Sequence, residues 1–123
     1  MNSVILIVDD NIDILVNLQM ILEFNDYNVL SAENGIEAIE VLKELDQLPN
    51  LIKSDIMMPK MNGYEFFRAL YENTQWKNIP FLFLTAYSPL DEQLKSDIIT
   101  EDDIIIKPYK ADELLEIISK KIE

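Results

Sequence analysis

Five residues that could take part in chemistry share one placement, since each stands where a short apolar run ends: Asp9, Asp10, Asp55, Thr85 and Lys107. They supply three carboxylates, one hydroxyl and one ammonium. Neighbouring carboxylates repel one another unless a cation or a raised pKa relieves the repulsion. The chain has no histidine and no cysteine, and oxygen ligands alone suit a hard cation such as Mg²⁺. The set therefore indicates a magnesium site if the fold brings it together.

A carboxylate beside a bound cation can attack phosphorus and form an acyl phosphate. The cation and an ammonium then neutralise charge on the phosphoryl oxygens, and a hydroxyl can donate a hydrogen bond to one of them. Asp55 is the candidate nucleophile, because it stands between the apolar pairs Leu51-Ile52 and Ile56-Met57. A carboxylate buried there must be paired, metal-bound or protonated.

The elements that would position these groups alternate regularly along the chain. Five apolar runs predict strands: Ser3 to Val8, Asn28 to Ser31, Leu51 to Ser54, Phe81 to Leu84 and Asp103 to Ile106. Segments with apolar residues at helical spacing separate them, as in Ile14, Leu15, Leu18, Ile21 and Leu22. This alternation predicts an α/β domain with a parallel sheet covered by helices on both faces. Ligands of such sheets bind outside the carboxyl ends of the strands, where all five candidate residues would meet.

Composition narrows the possible functions. With 123 residues the chain is long enough for one core, and residues 1–123 are expected to form one domain without an output domain. The formal charge of −13 argues against a nucleic-acid surface, which needs clustered lysine and arginine. The first apolar run meets Asp9 too early for a signal peptide or membrane span. We therefore expect a cytoplasmic protein that contacts neither nucleic acid nor membrane.

Four short motifs, taken in order, resemble a known family. They are "VDDN" at 8–11, "DIMMPKMNG" at 55–63, "LTA" at 84–86 and "KPY" at 107–109. Together they resemble the receiver domain of two-component response regulators, in particular the single-domain chemotaxis regulators, over essentially the whole chain. The resemblance implies a flavodoxin-like (βα)5 three-layer sandwich with strand order 2-1-3-4-5. A receiver cut from a hybrid histidine kinase would carry the same motifs.

The resemblance also implies roles for individual residues. Asp55 would be the phosphoacceptor, and Thr85 and Lys107 would contact the phosphoryl group. Mg²⁺ would be held by Asp9, Asp10, Asp55 and the backbone carbonyl of Met57. A cis Lys107-Pro108 bond is implied as well. The phosphoryl group would come from a histidine kinase or phosphotransfer protein, and the chain would act as a signalling switch with self-catalysed acceptance rather than as an enzyme.

Other interpretations of the same residues remain open at this point. A magnesium-dependent aspartyl phosphatase would use similar groups, but that class has a second aspartate where Met57 stands. A flavodoxin-like cofactor binder would need a phosphate loop rich in Ser, Thr or Gly after the first strand, where this chain is acidic. A receiver-like module that never takes phosphate usually lacks a site residue, and none is missing. Asp9-Asp10 could also serve only as a helix N-cap.

Two departures from the family pattern concern switching. Ile104 replaces the aromatic residue that the family often has three positions before the lysine, here Lys107. Tyr87 and Tyr109 are therefore candidates for the switching role of that aromatic ring.

The expected partner-binding face combines the predicted fourth helix, fifth strand and fifth helix: 88–97, 103–106 and 110–122. Met57 and Tyr87 flank the path of the hydrolytic water in this family, and neither side chain activates water. We therefore expect slow autodephosphorylation.

Lys53 is the third departure, since it stands two residues before Asp55 on a strand expected to be central, where the family has an aliphatic residue. One interpretation is a direct ion pair that tunes Asp55. The favoured interpretation is a stem packed in the core with an ammonium that reaches water or a helix carboxylate. On that interpretation Lys53→Ile should stabilise the fold.

Overall fold

The computed structural model describes residues 2–85, 103–106 and 109–122, with Thr85 described for its backbone alone. Its elements are β1 (Val4–Val8), α1 (Ile12–Phe24), β2 (Asn28–Ala32), α2 (Gly35–Glu44), β3 (Leu51–Asp55), α3 (Gly63–Tyr71), β4 (Phe81–Thr85), β5 (Ile104–Ile106) and α4 (Ala111–Ile122). All five predicted strands are confirmed to within one residue at each end. The predicted helix over 88–97 lies outside the described residues, so α4 corresponds to the fifth predicted helix.

The strands form one parallel sheet in the order β2-β1-β3-β4-β5. This is the predicted flavodoxin-like order. Sequential strands β1 and β2 lie side by side, and the chain then crosses to the other side of β1 to form β3. The order reverses there, so the crevice beyond the carboxyl ends of β1 and β3 is the place where such sheets bind ligands.

Asparagine caps begin three helices at this same edge of the sheet: Asn11 for α1, Asn34 for α2 and Asn62 for α3. Each side-chain oxygen accepts a hydrogen bond from a backbone N–H in the first helical turn, which has no partner within the helix. The backbone N–H of Asn62 in turn donates to Oε1 of Glu65, which completes a capping box. These caps fix where the loops around the crevice end.

Two apolar cores lie on opposite faces of the sheet. Helices α2 and α3 cover one face, which we call the aromatic face because Phe66, Phe81 and Phe83 pack there around Ile52. Helices α1 and α4 cover the other, which we call the aliphatic face; its buried residues are Ile5, Ile7, Leu15, Leu18, Leu22, Leu51, Leu82, Leu84, Ile105, Leu114 and Ile118. No helix in the described part of the chain is long and apolar enough to cross a membrane.

Candidate functional site

Three carboxylates meet at the carboxyl edge of the sheet. One oxygen from each of Asp9, Asp10 and Asp55 lies within 4.8 Å of the others. Their exposures differ, because Asp9 is buried, Asp55 is half-buried and Asp10 is exposed. The prediction that the ends of β1 and β3 bring these residues together is confirmed, and the result is an acidic cluster open to solvent on one side.

Asp9 is held by its own loop. Its Oδ1 accepts a hydrogen bond from the backbone N–H of Asn11 at 2.9 Å, and its backbone N–H donates to the carbonyl of Ala32 at 3.1 Å. The N-cap of α1 is Asn11, so the interpretation of Asp9-Asp10 as a helix cap is wrong.

Asp55 is the last residue of β3, the strand between β1 and β4. Its Oδ1 accepts a hydrogen bond from the backbone N–H of Ile56 at 2.7 Å, and its carbonyl accepts one from the buried Ser54 hydroxyl at 2.8 Å. These two contacts hold the backbone and the carboxylate of the candidate phosphoacceptor. The half-buried position leaves one side of the Asp55 carboxylate accessible.

Gly63 brings the first turn of α3 against the end of β3. Its N–H donates to the carbonyl of Ile56 at 2.8 Å, and a Cβ atom at this position would lie 2.4 Å from the carbonyl oxygen of Asp55. That oxygen belongs to the backbone, so it cannot move aside as a flexible side chain would. Within the same loop Lys60 has a φ of 68°, in the left-handed region. Gly63 therefore permits close backbone contact beside Asp55.

The stem of Lys53 packs in the core of the central strand as expected, but its ammonium has a partner that the sequence did not indicate. Its side chain is 1% exposed, and its Nζ lies 3.6 Å from Oδ2 of Asp9, which is also 1% exposed. The expectation that its ammonium reaches water or a helix carboxylate is therefore wrong, because Asp9 precedes α1 and is itself buried. The strand register explains the contact. Lys53 lies opposite Ile7 of β1, and its long side chain reaches Asp9, two residues further along the chain from Ile7.

Tyr109 lies half-buried against the aliphatic face. Burial, and secondarily the negative charge of Asp9, raise the pKa of its hydroxyl above the usual 10.0. The ring therefore stays neutral near the acidic cluster.

The structure describes some of the remaining predicted site residues and leaves others outside the described part of the chain. Met57 follows Asp55 in the loop with its side chain 59% exposed, and Ile104 is half-buried against the aromatic face. The Thr85 backbone closes β4 at the same sheet edge. The Thr85 side chain, Tyr87, Lys107 and Pro108 lie outside the described residues, so their predicted roles and the cis bond stay predictions.

The donor set fits Mg²⁺. Oxygen ligands of Mg²⁺ lie about 2.0–2.1 Å from the ion in an octahedral arrangement, so two of them are at most about 4.2 Å apart. The 4.8 Å spread of the three carboxylate oxygens is close to that span. The exposed side of the cluster leaves room for the waters that Mg²⁺ retains. Asp9, Asp10 and Asp55 can thus hold one ion between them.

An exposed apolar stripe on α1 is a feature that the sequence analysis missed. It repeats every fourth residue and consists of Ile12 at 59%, Val16 at 52%, Met20 at 65% and Phe24 at 87% exposure. Helical spacing i, i+4, i+8, i+12 was the signal that could have revealed a second apolar row. The stripe starts two residues after Asp10.

Comparison with known proteins gives relatives of one kind. The profile for the response regulator receiver domain matches residues 5–119. Response regulator Rre1 of Synechocystis is 35% identical over 111 residues, which are 89% of this chain and 47% of that protein. The chain thus spans about half the length of such curated relatives.

Solved structures agree with the sequence comparisons. The receiver domain of a signal transduction histidine kinase from Syntrophus aciditrophicus superposes with a TM-score of 0.86 at 32% identity, covering 98% of this chain and 89% of that one. Chemotaxis response regulator CheY4 of Vibrio cholerae gives a TM-score of 0.86 at 28% identity, covering 98% and 99%. With the strand order and the aspartate cluster, these matches show that the chain belongs to the response regulator receiver domain family of two-component systems, found in response regulators and in hybrid histidine kinases.

Proposed function

We propose that Asp55 is the phosphoacceptor of this receiver domain. A carboxylate oxygen of Asp55 would attack the phosphorus of a phosphohistidine, forming a P–O bond while the P–N bond breaks and its electron pair returns to the imidazole nitrogen. The observation that carries the proposal is the meeting of three carboxylates around the half-buried Asp55 at the carboxyl edge of the sheet. Family membership supports it independently.

The chain's own groups would prepare this step. The Ile56 N–H and the Ser54 hydroxyl hold Asp55 in place before the donor arrives. Asp9 and Asp10, with Asp55 and the Met57 carbonyl, would hold Mg²⁺. When bound, Mg²⁺ would neutralise charge on the phosphoryl oxygens. Thr85 and Lys107 would contact the same oxygens, as their motif positions imply. Preorganisation of this kind makes phosphoryl acceptance largely self-catalysed.

The experiment is intact-mass measurement after incubation with a small-molecule acyl phosphate and Mg²⁺. Wild type should gain one phosphate, and both Asp55→Asn and wild type in excess chelator should gain none. Asp13→Asn is the matched control, because Asp13 is an exposed carboxylate in the first turn of α1; it should gain phosphate like wild type. A gain in Asp55→Asn, or none in wild type, would contradict the assignment.

Slow loss of the phosphoryl group is a second part of the proposal. Met57 projects into solvent beside Asp55 and offers no base or amide to orient an attacking water. It also stands where an aspartyl phosphatase would need its second carboxylate, so repeated turnover of external substrates is disfavoured. Met57→Asn should accelerate decay of the acyl phosphate, followed by mass over time. An unchanged or slower decay would refute this role for Met57.

Partner contacts would use two surfaces. A histidine kinase or phosphotransfer protein must bring its phosphohistidine to Asp55, and the apolar stripe on α1 begins beside the cluster. Met20→Lys should therefore slow phosphorylation by a phosphorylated histidine phosphotransfer protein and leave phosphorylation by a small-molecule donor unchanged. Equal rates with the protein donor would contradict this surface.

The downstream target would bind the face formed by 88–97, 103–106 and 110–122. Ile106 is 43% exposed there, and Lys121 forms an ion pair with Asp103 that joins α4 to the start of β5. Phosphorylation would shift a pre-existing equilibrium between two forms of this face.

A protein target fits better than nucleic acid because the chain carries a formal charge of −13. A cytoplasmic location follows from the same proposal, because histidine kinases draw their phosphoryl groups from ATP. We likewise propose that residues 1–123 form a single receiver domain.

A further inference from the structure

Lys53 places a positive charge inside the sheet, next to the acidic cluster. It lies on the central strand β3 between Ile7 of β1 and Leu82 of β4, and all three side chains are buried. The Nζ atom of Lys53 is buried together with the rest of its side chain. Its charge acts on the groups at the end of the strand, and its Nζ lies 3.6 Å from Oδ2 of Asp9, within ion-pair distance.

Both oxygens of Asp9 are engaged by the protein itself. Oδ1 accepts the hydrogen bond from Asn11, and Oδ2 faces the ammonium of Lys53; among the described residues no group donates a hydrogen bond to Oδ2. A divalent cation at the cluster must draw on this same carboxylate. It would also enter a field in which one of the three negative charges is already opposed by Lys53.

We propose that the Lys53 ammonium is a resident cation that opposes Mg²⁺ at the acidic cluster and sets a weak affinity for it. Lys53 is thus a positioning residue that acts through Asp9, and it makes occupancy of the site depend on a higher Mg²⁺ concentration. This inference rests on the proposed binding of Mg²⁺ by Asp9, Asp10 and Asp55.

Charge and distance support an effect on affinity as well as on stability. Electrostatic interactions in a partly buried site are several times stronger than in bulk water, and salt screens them less than it screens exposed pairs. The burial of Lys53 and Asp9 at 1% exposure each places their interaction in that regime. A surface lysine exerts little effect at the same site, because its field passes mainly through solvent and is screened.

The test is a calorimetric titration of Mg²⁺ at constant ionic strength, without a phosphodonor. Lys53→Met removes the charge and keeps an unbranched side chain of similar length. Its dissociation constant for Mg²⁺ should fall about tenfold relative to wild type, which corresponds to about 1.4 kcal/mol. Lys43→Met is the matched control, since Lys43 is exposed in the last turn of α2, at the opposite end of that helix from the crevice. Its dissociation constant should equal that of wild type.

An unchanged or higher dissociation constant in Lys53→Met would overturn the proposal, as would an equal gain in affinity in Lys43→Met. If Lys53→Met does not fold, Lys53→Gln serves instead, because its amide can still donate to Asp9 without carrying charge; the same direction is expected. The readout is independent of phosphoryl transfer. Phosphate gain on wild type with no effect of Lys53 would refute only this inference, whereas no Mg²⁺ binding in any variant would refute the metal site itself.

Discussion

The two faces of the sheet differ in the side chains that they bury. The aromatic face is filled by Phe66, Phe81 and Phe83, whose ring centroids lie 4.6–5.8 Å apart in adjacent pairs. The aliphatic face accommodates a charged pair, Lys53 and Asp9, within otherwise apolar packing. Apolar packing stabilises the fold whatever the ionic conditions, whereas a buried ion pair ties stability to the charges around it.

This difference shows which face is linked to the site. Asp9 belongs both to the acidic cluster and to the interior of the aliphatic face, so a change in cluster charge is felt in that core. The aromatic face meets the site mainly through backbone, at Gly63 beside the Asp55 carbonyl. We therefore expect variants on the two faces to differ in how Mg²⁺ alters their stability.

The largest expected effect comes from the aromatic face. Phe66→Ala should lower the free energy of unfolding by about 3–5 kcal/mol, since Phe66 is fully buried and its loss leaves a cavity. Urea unfolding followed by fluorescence of the buried Trp76, the chain's single tryptophan, measures this directly. Mg²⁺ should stabilise Phe66→Ala and wild type by equal amounts. A different response to Mg²⁺ would show that the aromatic face is also coupled to the site.

A smaller loss is expected from Lys53→Ile, and the sign differs from the expectation based on sequence. Removing Lys53 leaves the Asp9 carboxylate buried without the ammonium that opposes its charge, and we expect a cost of about 3 kcal/mol, the lower end of the range for a broken buried pair. Unfolding in chelator should show this loss. Saturating Mg²⁺ should restore part of it, because the metal replaces the missing cation. Greater stability than wild type in chelator would support the simple aliphatic-strand interpretation instead.

The smallest effect concerns Tyr109 at alkaline pH. Because the folded chain holds the pKa of Tyr109 above 10.0, the unfolded chain loses this proton first as pH rises. The stabilising contribution is complete below about pH 10 and is lost as pH rises through the folded value. Tyr109→Phe should therefore lose less stability than wild type between about pH 8 and about pH 11. Identical losses in the two proteins would mean that the ring titrates normally.

Particular residues show how far sequence reasoning reaches. Strand positions and the meeting of Asp9, Asp10 and Asp55 could be predicted, because apolar runs alternate with helical spacing and parallel strands end at one edge. Lys53 could not be placed, because the partner of a buried lysine depends on strand registry and side-chain reach rather than on its own neighbours. The stripe from Ile12 to Phe24 was overlooked because burial, not composition, separates an exposed apolar row from a core-facing one.

A double-mutant cycle on Lys53 and Asp9 tests the central claim most directly. Wild type, Lys53→Met, Asp9→Asn and the double variant would be unfolded in urea with excess chelator, using Trp76 fluorescence. Each single variant removes one charge and leaves the other buried without its partner, whereas the double variant removes both charges. We therefore expect a coupling free energy of about 2 kcal/mol between Lys53 and Asp9. A coupling below about 0.5 kcal/mol, the range seen for independent sites, would contradict a buried ion pair that links the sheet core to the acidic cluster.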